Sequence, residues 1–341
     1  MFLCVPKKIC VPKKAFLMRN DKEKYITFCQ TELSIPIFMQ PWWLDAVCEK
    51  GEWFVCLFET KGEIVAASTY FLRQKAGLSY VVQPLLTPYS GIWMKEMAFA
   101  KKYQQYHHVK MILNQWIEQL PKATFFQQQY AYTLTDWQPF YWHGFQQTTR
   151  YTYILDLLQG SEVLYSHFND NTKRNIRKAQ QTGLEILSFE SESDTTIFDT
   201  FYHLNTLTFQ KQGLKNPIPA VFFKRLDAVL KAKQQRTIYL ARDAAGHYHA
   251  ALYLVYDSKS AYYLAGGMDV SILKNNALFL LLWKAIQDAA RQVPTFDFEG
   301  SMLPQVEPIF RGFGATQMPY FRVFKAKNRF WAFANALFNV F

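Results

Sequence analysis

Cysteine, long apolar runs and charged residues are all scarce in this chain of 341 residues. The five cysteines are an odd number and no two form a CxxC pair, so neither a disulfide framework nor a cysteine-based zinc site is predicted. The longest unbroken apolar stretch, 277–283, is far shorter than the roughly 18 residues that a membrane-spanning helix needs. We therefore expect a soluble, cytoplasmic protein with reduced thiols.

The short motifs of the common metal, nucleotide and covalent-catalysis sites are also missing. His247 and His249 lie two residues apart and His107 precedes His108, but no third ligand has a suitable spacing. The chain has no Walker loop, no complete GxGxxG and no GxSxG elbow. The sequence therefore predicts no metal site, no permanently bound cofactor and no covalent enzyme intermediate.

Apolar and aromatic residues are plentiful. Half of the residues are apolar, and 17% are aromatic, with 30 Phe and 20 Tyr. This composition suffices for a large buried core and excludes a disordered scaffold. The length predicts about two domains.

The net charge of +11 is concentrated in three short segments. Residues 1–17, 173–178 and 322–329 each contribute four Lys or Arg and contain no acid, which leaves −1 for the rest of the chain. A near-neutral body argues against DNA binding and against broad nucleic-acid binding, because such domains carry a basic face.

Both ends of the chain differ from its body. Residues 4–8 recur as residues 10–14, and we expect residues 1–17 to be a disordered extension or the result of a mis-assigned start, with Met18 as the natural start. A basic arm for membrane or RNA is the alternative. Residues 328–341 predict an amphipathic helix, either docked on the protein or lying peripherally on the inner membrane surface.

Hydrophobic periodicity predicts one mixed unit that occurs twice. In the first half, strands are predicted over 53–59, 63–72 and 78–83, then a helix over 107–119 and a strand over 124–132. The second half repeats this order, with strands predicted over 236–242, 248–256 and 261–268, then a helix over 276–291 and a strand over 295–299.

Further elements are predicted between and after the two units. One helix is predicted from Ser161, its cap, to Gly183, and strands are predicted over 151–157 and 320–324. A shift of 168 residues places Trp142-His-Gly-Phe145 on Phe310-Arg-Gly-Phe313, which supports an internal duplication. We therefore predict domains over 18–150 and 151–327.

Three segments resemble conserved stretches of the GNAT superfamily of acyltransferases. They are TKRNIRKAQQTG at 172–183, FDFEG at 296–300 and IFRGFG at 309–314, and residues 142–157 resemble the link between the domains. Their order is similar to that of the Fem-type peptidyltransferases and of the bacterial single-chain tandem-GNAT acetyltransferases. The resemblance covers about residues 40–325.

The resemblance implies an α+β fold of two tandem GNAT domains, each a mostly antiparallel mixed sheet with flanking helices. It implies an acyltransferase that moves an acyl or aminoacyl group to an amine, with a cell-wall peptidoglycan precursor as the expected acceptor. One alternative is an acetyl-CoA-dependent N-acetyltransferase acting on a small molecule or amino sugar. A second alternative is a protein without activity that binds RNA or membrane.

The donor site is expected where the second meander meets the following helix, since unpaired N–H groups at a helix start attract anions. The predicted donor-binding residues are Gly266, Gly267, Met268, Asn275, Asn276 and Ala277. The donor would be a co-substrate, either acetyl-CoA or another acyl-CoA, or an aminoacyl-tRNA. The glycines of the usual coenzyme A loop are absent from 271–277, and so is the helical arm of the Fem-type enzymes.

Acyl transfer needs a proton acceptor and a stabilised oxyanion. Asp297 and Glu299 are predicted catalytic residues because alternation along a strand places both acids on one face, opposite Phe296 and Phe298. Arg311 is the third, because the resemblance places Phe310-Arg311 on a Phe-Lys pair of the Fem-type family.

Substrate-binding residues are predicted in three places. Lys173, Arg174, Arg177 and Lys178 are expected to crowd on one helix, where they could hold a phosphate of a tRNA, of coenzyme A or of a nucleotide-linked precursor. In the first half the candidates are Tyr89 and Trp42, with core packing as the alternative for the tryptophan. In the second half the candidate is Phe310.

Overall fold

The computed structural model describes residues 14–190, 195–269, 271–272, 276–300 and 302–328. The described helices are α1 (Lys14–Phe28), α2 (Pro41–Val47), α3 (Lys102–Gln119), α4 (Gln138–Trp142), α5 (Ser161–His167), α6 (Asp170–Gln180), α7 (Thr195–Gln210), α8 (Ala220–Ala232), α9 (Ala277–Ala289) and α10 (Glu307–Gly312). The described strands are β1 (Gly51–Thr60), β2 (Glu63–Lys75), β3 (Leu78–Val82), β4 (Ile92–Met94), β5 (Phe125–Gln129), β6 (Gln146–Asp156), β7 (Glu185–Phe189), β8 (Arg236–Arg242), β9 (Tyr248–Tyr256), β10 (Ser260–Met268), β11 (Thr295–Asp297) and β12 (Thr316–Ala326).

These strands form one continuous sheet in the order β1-β2-β3-β5-β12-β6-β11-β10-β9-β8-β7, with β4 paired to β2. The pairs β3–β5 and β10–β11 are parallel. The two halves of the sheet have the same order: the first runs β1, β2, β3, β5, and the second runs β8, β9, β10, β11. The predicted repeat of a meander, a helix and a strand is therefore confirmed.

The last strand of each half lies in the other half of the sheet. Strand β6 pairs with β11, and strand β12 pairs with β5. The two exchanged strands pair with each other at the centre of the sheet. The predicted domain boundary between residues 150 and 151 therefore falls inside β6, a strand that joins the halves.

The sequence repeat coincides with the short helix before each exchanged strand. Helix α4 leads into β6, and α10 leads into β12. Each helix is followed by a glycine with positive φ, Gly144 at 74° and Gly314 at 72°, an offset of 170 residues. The predicted shift of 168 is two residues too short, because it placed Gly144 on Gly312, which lies within α10. The glycine that follows α10 in the left-handed conformation is Gly314.

Each face of the sheet carries its own helices. We call face A the side covered by α3, α4, α5, α6, α9 and α10, and face B the side covered by α1, α2, α7 and α8. Side chains alternate between them, so Leu252 packs in the core of face A while Tyr253 packs in that of face B.

The middle of face B is open. Gln127, Thr148 and Arg322 point to this side from the central strands and stay partly or fully exposed. A cavity of about 600 Å³ lies here; its floor includes Arg73 and Gln127, and one wall includes Phe222. We call this open region the trough.

The predicted helix over 161–183 is wrong in one respect, because it is two helices. Helix α5 ends before Phe168, whose extended backbone (φ −63°, ψ 141°) turns its ring into the core. Helix α6 then begins after Asn169, whose side-chain oxygen accepts a hydrogen bond from the N–H of Thr172 at 2.7 Å. Asn169 is thus the N-cap that restarts the helix.

The predictions for the chain ends fall mostly outside the described residues. Of the proposed extension 1–17, only residues 14–17 are described, at the start of α1. Of the proposed helix 328–341, only Asn328 is described. No helix in the described part of the chain is long and apolar enough to cross a bilayer.

Candidate functional site

Asp297 is the last residue of β11 and lies on face B. It is buried, with only 2% of its surface exposed. Its Oδ1 accepts a hydrogen bond from the hydroxyl of Thr152 and another from the N–H of Glu299 at 2.8 Å. Burial raises the pKa of Asp297 to about 6, although these hydrogen bonds oppose the shift. The carboxyl is therefore poised to gain or lose a proton near neutral pH.

Glu299 lies just beyond β11 and reaches the same region by a bend in the backbone. Its φ is 58°, an uncommon conformation for a residue with a side chain. Its Oε1 is buried and accepts no hydrogen bond from the described residues. Burial, and then the charges of Asp297 and Asp257, raise the pKa of Glu299 well above its usual range.

The predicted alternation is confirmed over 296–298. Phe296 and Phe298 pack in the core of face A, with ring centroids 5.0 Å apart, while Asp297 faces the other way. The strand ends two residues earlier than predicted, so the conformation of Glu299, and not strand periodicity, brings the second acid to face B.

A chain of hydroxyls links the two halves beside these acids. The hydroxyl of Tyr89 lies 3.0 Å from that of Tyr262, which donates to Asp257 Oδ2 at 2.8 Å. The N–H of Ile37 donates to the same oxygen at 3.2 Å. Tyr89, predicted to bind substrate, thus uses its hydroxyl within the protein, and burial raises its pKa well above the usual value.

Strands β10 and β11 separate immediately beside the acids. Their pairing runs from Ser260 only to Tyr262, opposite Asp297. A bulge at Leu264 interrupts the ladder between β10 and β9 on the other side. A bulged residue between two separating strands leaves backbone polar groups available to a ligand.

The space beside Gly266 and Gly267 is filled by the protein. A Cβ on Gly266 would lie 2.0 Å from the Tyr263 hydroxyl, and one on Gly267 would lie 2.2 Å from the backbone N of Asn205 in α7. Gly267 therefore permits the close packing of α7 on β10, and Gly266 leaves room for the side chain of Tyr263. We expected both glycines to admit a ligand.

The remaining predicted donor residues lie at the end of β10 and the start of α9. The N–H of Met268 donates to Thr208 Oγ1 at 3.0 Å. Asn276 has a left-handed backbone (φ 57°) and precedes the first residue of α9, Ala277, which is buried. Asn275 lies outside the described residues.

Arg311 lies on the opposite side of the sheet from the acids. Its side chain is 66% exposed and its Nε donates to Glu307 Oε1 at 2.8 Å. Glu307 also accepts from the hydroxyl of Tyr153 at 2.7 Å, and Tyr153 faces A because its neighbour Thr152 faces B. Phe310 is buried in the core of face A, stacked on Phe298 at 4.8 Å.

The predicted basic helix is α6. Thr172, Ile176 and Ala179 form its buried side. Its four cations make no ion pair with an acid among the described residues; they are Lys173, Arg174, Arg177 and Lys178. Lys173 donates to the carbonyl of Ser166 at 2.7 Å, and Arg177 and Lys178 are exposed. This basic surface lies on face A, like α9 and Arg311.

The first-half tryptophans pack inside the protein. Trp43 is fully buried and donates to Thr87 Oγ1 at 3.0 Å. Trp42, the predicted substrate-binding residue, is half-buried with its ring centroid 6.1 Å from that of Trp43.

Sequence reasoning missed Thr152 and Arg150. Both lie on β6 and face the open side of the sheet with Asp297. For Thr152 the signal was the predicted strand over 151–157, whose alternate residues must share a face. Arg150 lies just before that predicted strand, because β6 begins earlier, at Gln146. Which face and which partner depended on the exchange of β6 into the second half.

No group of three or more His, Cys, Asp or Glu in the described residues could hold a metal ion. The site is therefore two buried acids with raised pKa values at the point where two parallel strands separate, on the same face of the sheet as the trough, with basic groups on the other face.

Residues 166–308 match the family model described as an acetyltransferase (GNAT) domain. No curated protein sequence matches the chain. A crystal structure of FemX is similar, with a TM-score of 0.63 and 12% identity over 88% of this chain and 95% of that one.

Two further solved structures share the fold. A conserved protein of unknown function from Bacteroides thetaiotaomicron VPI-5482 has a TM-score of 0.57 at 10% identity, covering 90% of this chain and 97% of that one. L-PGS from Bacillus licheniformis has a TM-score of 0.50 at 10% identity, covering 85% and 89%.

The chain is an α+β protein with two similar units, as predicted, and it shares its fold with FemX. The GNAT domain match and the shared fold confirm the resemblance to the GNAT superfamily and to its tandem, Fem-like members. The GNAT domain match supports an acyltransferase as the class of enzyme.

Proposed function

We propose that this protein transfers an acyl group directly to an amine, with Asp297 as the proton acceptor. The observation that carries the proposal is the buried pair Asp297 and Glu299 beside the separating strands β10 and β11. A carboxyl with a pKa of about 6 is largely ionised at neutral pH and can take the proton that an amine nitrogen loses as it is acylated.

In this reaction the nitrogen lone pair of the neutral amine attacks the donor carbonyl. Asp297 receives the proton that nitrogen releases and passes it to the donor's sulfur or oxygen. The bond from the carbonyl carbon to that atom then breaks, and the donor leaves as a neutral thiol or alcohol. The interrupted ladder at Leu264 supplies backbone N–H groups for the carbonyl oxygen as it gains charge.

The geometry supports opposite approaches for the two substrates. The acceptor enters from the trough on face B, and the donor lies on face A, where α6, Arg311 and the start of α9 offer cations and a helix N-terminus to phosphates. The substrates meet in the gap between β10 and β11.

The Fem-type resemblance favours a cell-wall peptidoglycan precursor as the acceptor, with an acyl or aminoacyl group transferred. The second candidate function is acetyl-CoA-dependent N-acetylation of a small molecule or amino sugar, which the description of the matching family model favours. An acyl-CoA is the donor that we expect, and aminoacyl-tRNA is the alternative donor.

Incubation of the purified full chain with acetyl-CoA or charged tRNA, and with amines that include a muramyl pentapeptide precursor, tests the proposal. Mass spectrometry should show an acylated amine with wild type and none above background with Asp297→Asn. Absence of transfer from every donor, with no thermal shift on adding either donor, would favour a binding protein without activity.

A further inference from the structure

Two arginines lie beside each other on the floor of the trough. Arg150 on β6 is opposite Tyr320 on β12, and Arg322 is opposite Thr148, so the arginines are diagonal neighbours on face B. Such neighbours lie about 7–8 Å apart at Cα and long side chains can meet. Burial, and then the charge of Arg150, lower the pKa of Arg322, which shows that the crowded cations are unfavourable.

No carboxylate among the described residues neutralises this pair. Arg322 donates to the side-chain oxygen of Gln127, an uncharged group. Nε of Arg150 is buried and has no hydrogen-bond partner in the described part of the chain. Glu49, an acid at the trough wall, is paired with Arg225. Arg150 also forms a side-chain hydrogen bond with Tyr320, the residue opposite it. The side-chain partners of the two arginines are thus uncharged groups, which leaves their charge to an anion from solution.

The catalytic acids lie a short distance away, at the end of β11, the strand that pairs with β6. Thr152, which holds Asp297, is two residues beyond Arg150 on the same face of β6, a separation of about 7 Å at the usual rise of a strand. Burial and neighbouring carboxyls dominate the raised pKa values of both acids. Face B of the adjacent strands β12, β6 and β11 thus brings together two arginines and, next to them, two carboxyl groups, and none of the four forms an ion pair among the described residues.

We propose that the trough binds an acceptor that carries both an amine and an oxyanion, a carboxylate or phosphate. Arg150 and Arg322 hold the oxyanion by bidentate hydrogen bonds, while the amine lies against Asp297 and Glu299. The amine half of this inference rests on the proposed function, whereas the anion site does not. Both arginines belong to exchanged strands, so the exchange itself builds the site.

Thermal unfolding in sodium phosphate or sodium succinate, at constant ionic strength adjusted with sodium chloride, tests the anion site. We expect one or both anions to raise the Tm of the full chain. In Arg150→Gln and in Arg322→Gln, the concentration of phosphate or succinate that gives half of the maximal rise in Tm should increase at least tenfold. The control Arg242→Gln, at an exposed arginine paired with Glu185 at the far edge of the sheet, should respond like wild type.

Folding of the variants is checked without anion. Their Tm should stay close to that of wild type, because each change removes one of two neighbouring cations together with its hydrogen bond to Gln127 or Tyr320. A response to phosphate alone identifies a phosphorylated acceptor, and a response to succinate alone identifies a carboxylate.

The inference is overturned if chloride stabilises as well as either anion, or if the double variant binds as wild type does. It is also overturned if Arg174→Gln/Lys178→Gln abolishes the effect instead, since the anion then binds α6. Acyl transfer with an unchanged KM for the acceptor in the arginine variants refutes the anion site and leaves the proposed function standing. Anion binding without transfer from any donor supports the anion site and contradicts the proposed function.

Discussion

Thr152 donates a hydrogen bond to Asp297 across two strands that come from different halves of the chain. Thr152 lies on β6, the last strand of the first half, and Asp297 lies on β11 of the second. The exchange of strands therefore sets the environment of the acid, because it supplies the hydrogen-bond donor and covers the carboxyl on one side. Neither half alone contains the complete site.

Replacing Asp297 with asparagine should raise the free energy of unfolding, relative to wild type, more at neutral pH than at acid pH. The folded-state pKa of Asp297 is raised from 3.8 to about 6, so this carboxyl favours folding below about pH 4, and that contribution is lost as pH rises through about 6. The loss is about 3 kcal/mol. Urea unfolding should show that the free energy of unfolding of the variant, relative to that of wild type, is higher at pH 7.5 than at pH 4.

The matched control is Asp199→Asn, at an exposed carboxylate that contacts Lys224 at 3.0 Å. It should show no comparable gain between the two pH values. Equal pH dependence for Asp297→Asn and wild type would contradict the buried, raised-pKa carboxyl.

Acyl transfer should increase with pH through about 6, because Asp297 must be ionised to accept a proton. Asp297→Asn should lower kcat by about 100-fold or more. Thr152→Val removes a hydrogen bond that lowers the pKa of Asp297, so the midpoint of the kcat/KM profile should move to higher pH. A profile that stays flat between pH 5 and 8 is incompatible with this role.

Gly267→Ala should destabilise the protein by about 3 kcal/mol or more, since the new Cβ would lie 2.2–2.3 Å from backbone atoms of α7 that cannot move alone. Gly62→Ala is the control: it has positive φ (84°) but open space, so only about 1 kcal/mol of backbone strain is expected. Denaturant midpoints measure both. Similar losses in the two variants would mean that α7 is not packed so closely on β10.

Arg311→Ala should raise the KM for the acyl donor and leave the KM for the acceptor unchanged, because Arg311 lies on face A and the trough lies on face B. Its exposed ion pair with Glu307 contributes little to stability, so the Tm should hardly change. Arg291→Ala, at an exposed arginine near Asp288, should alter neither KM. An effect on the KM for the acceptor alone would contradict the placement of the acyl donor on face A.

Separate halves of the chain should fold poorly. A fragment of residues 14–157 lacks β12, which leaves an edge of β5 without its partner, and a fragment of residues 158–328 lacks β6. Co-expression should restore a soluble complex, detectable by size-exclusion chromatography and circular dichroism. Two halves that fold independently and stay monomeric would show that the exchanged pairing is dispensable.

Much of the fold follows from local pattern. The alternation in 296–298 predicts which side chains share a face, and the helix and strand periods predict the order of elements in both halves. The basic side of α6 was equally predictable, because residues three and four apart on a helix share a face. These features depend on neighbours within a few residues along the chain.

The packing of Gly267 against α7 and the left-handed conformation of Glu299 were not predictable in this way. Gly267 is small because α7, some sixty residues earlier in the chain, packs against it. Glu299 points to face B because its backbone bends after the strand ends. Both depend on how distant elements meet.

The amino-acid sequence by itself determined the two similar units, the order of their elements and the acids at the end of one strand, because side-chain periodicity is a local property. Only the tertiary structure decided that β6 and β12 exchange places, that Thr152 meets Asp297, and that Arg150 and Arg322 lie together beside an open trough. Strand pairing joins residues far apart in the chain, and no local pattern specifies which strand becomes the neighbour of which.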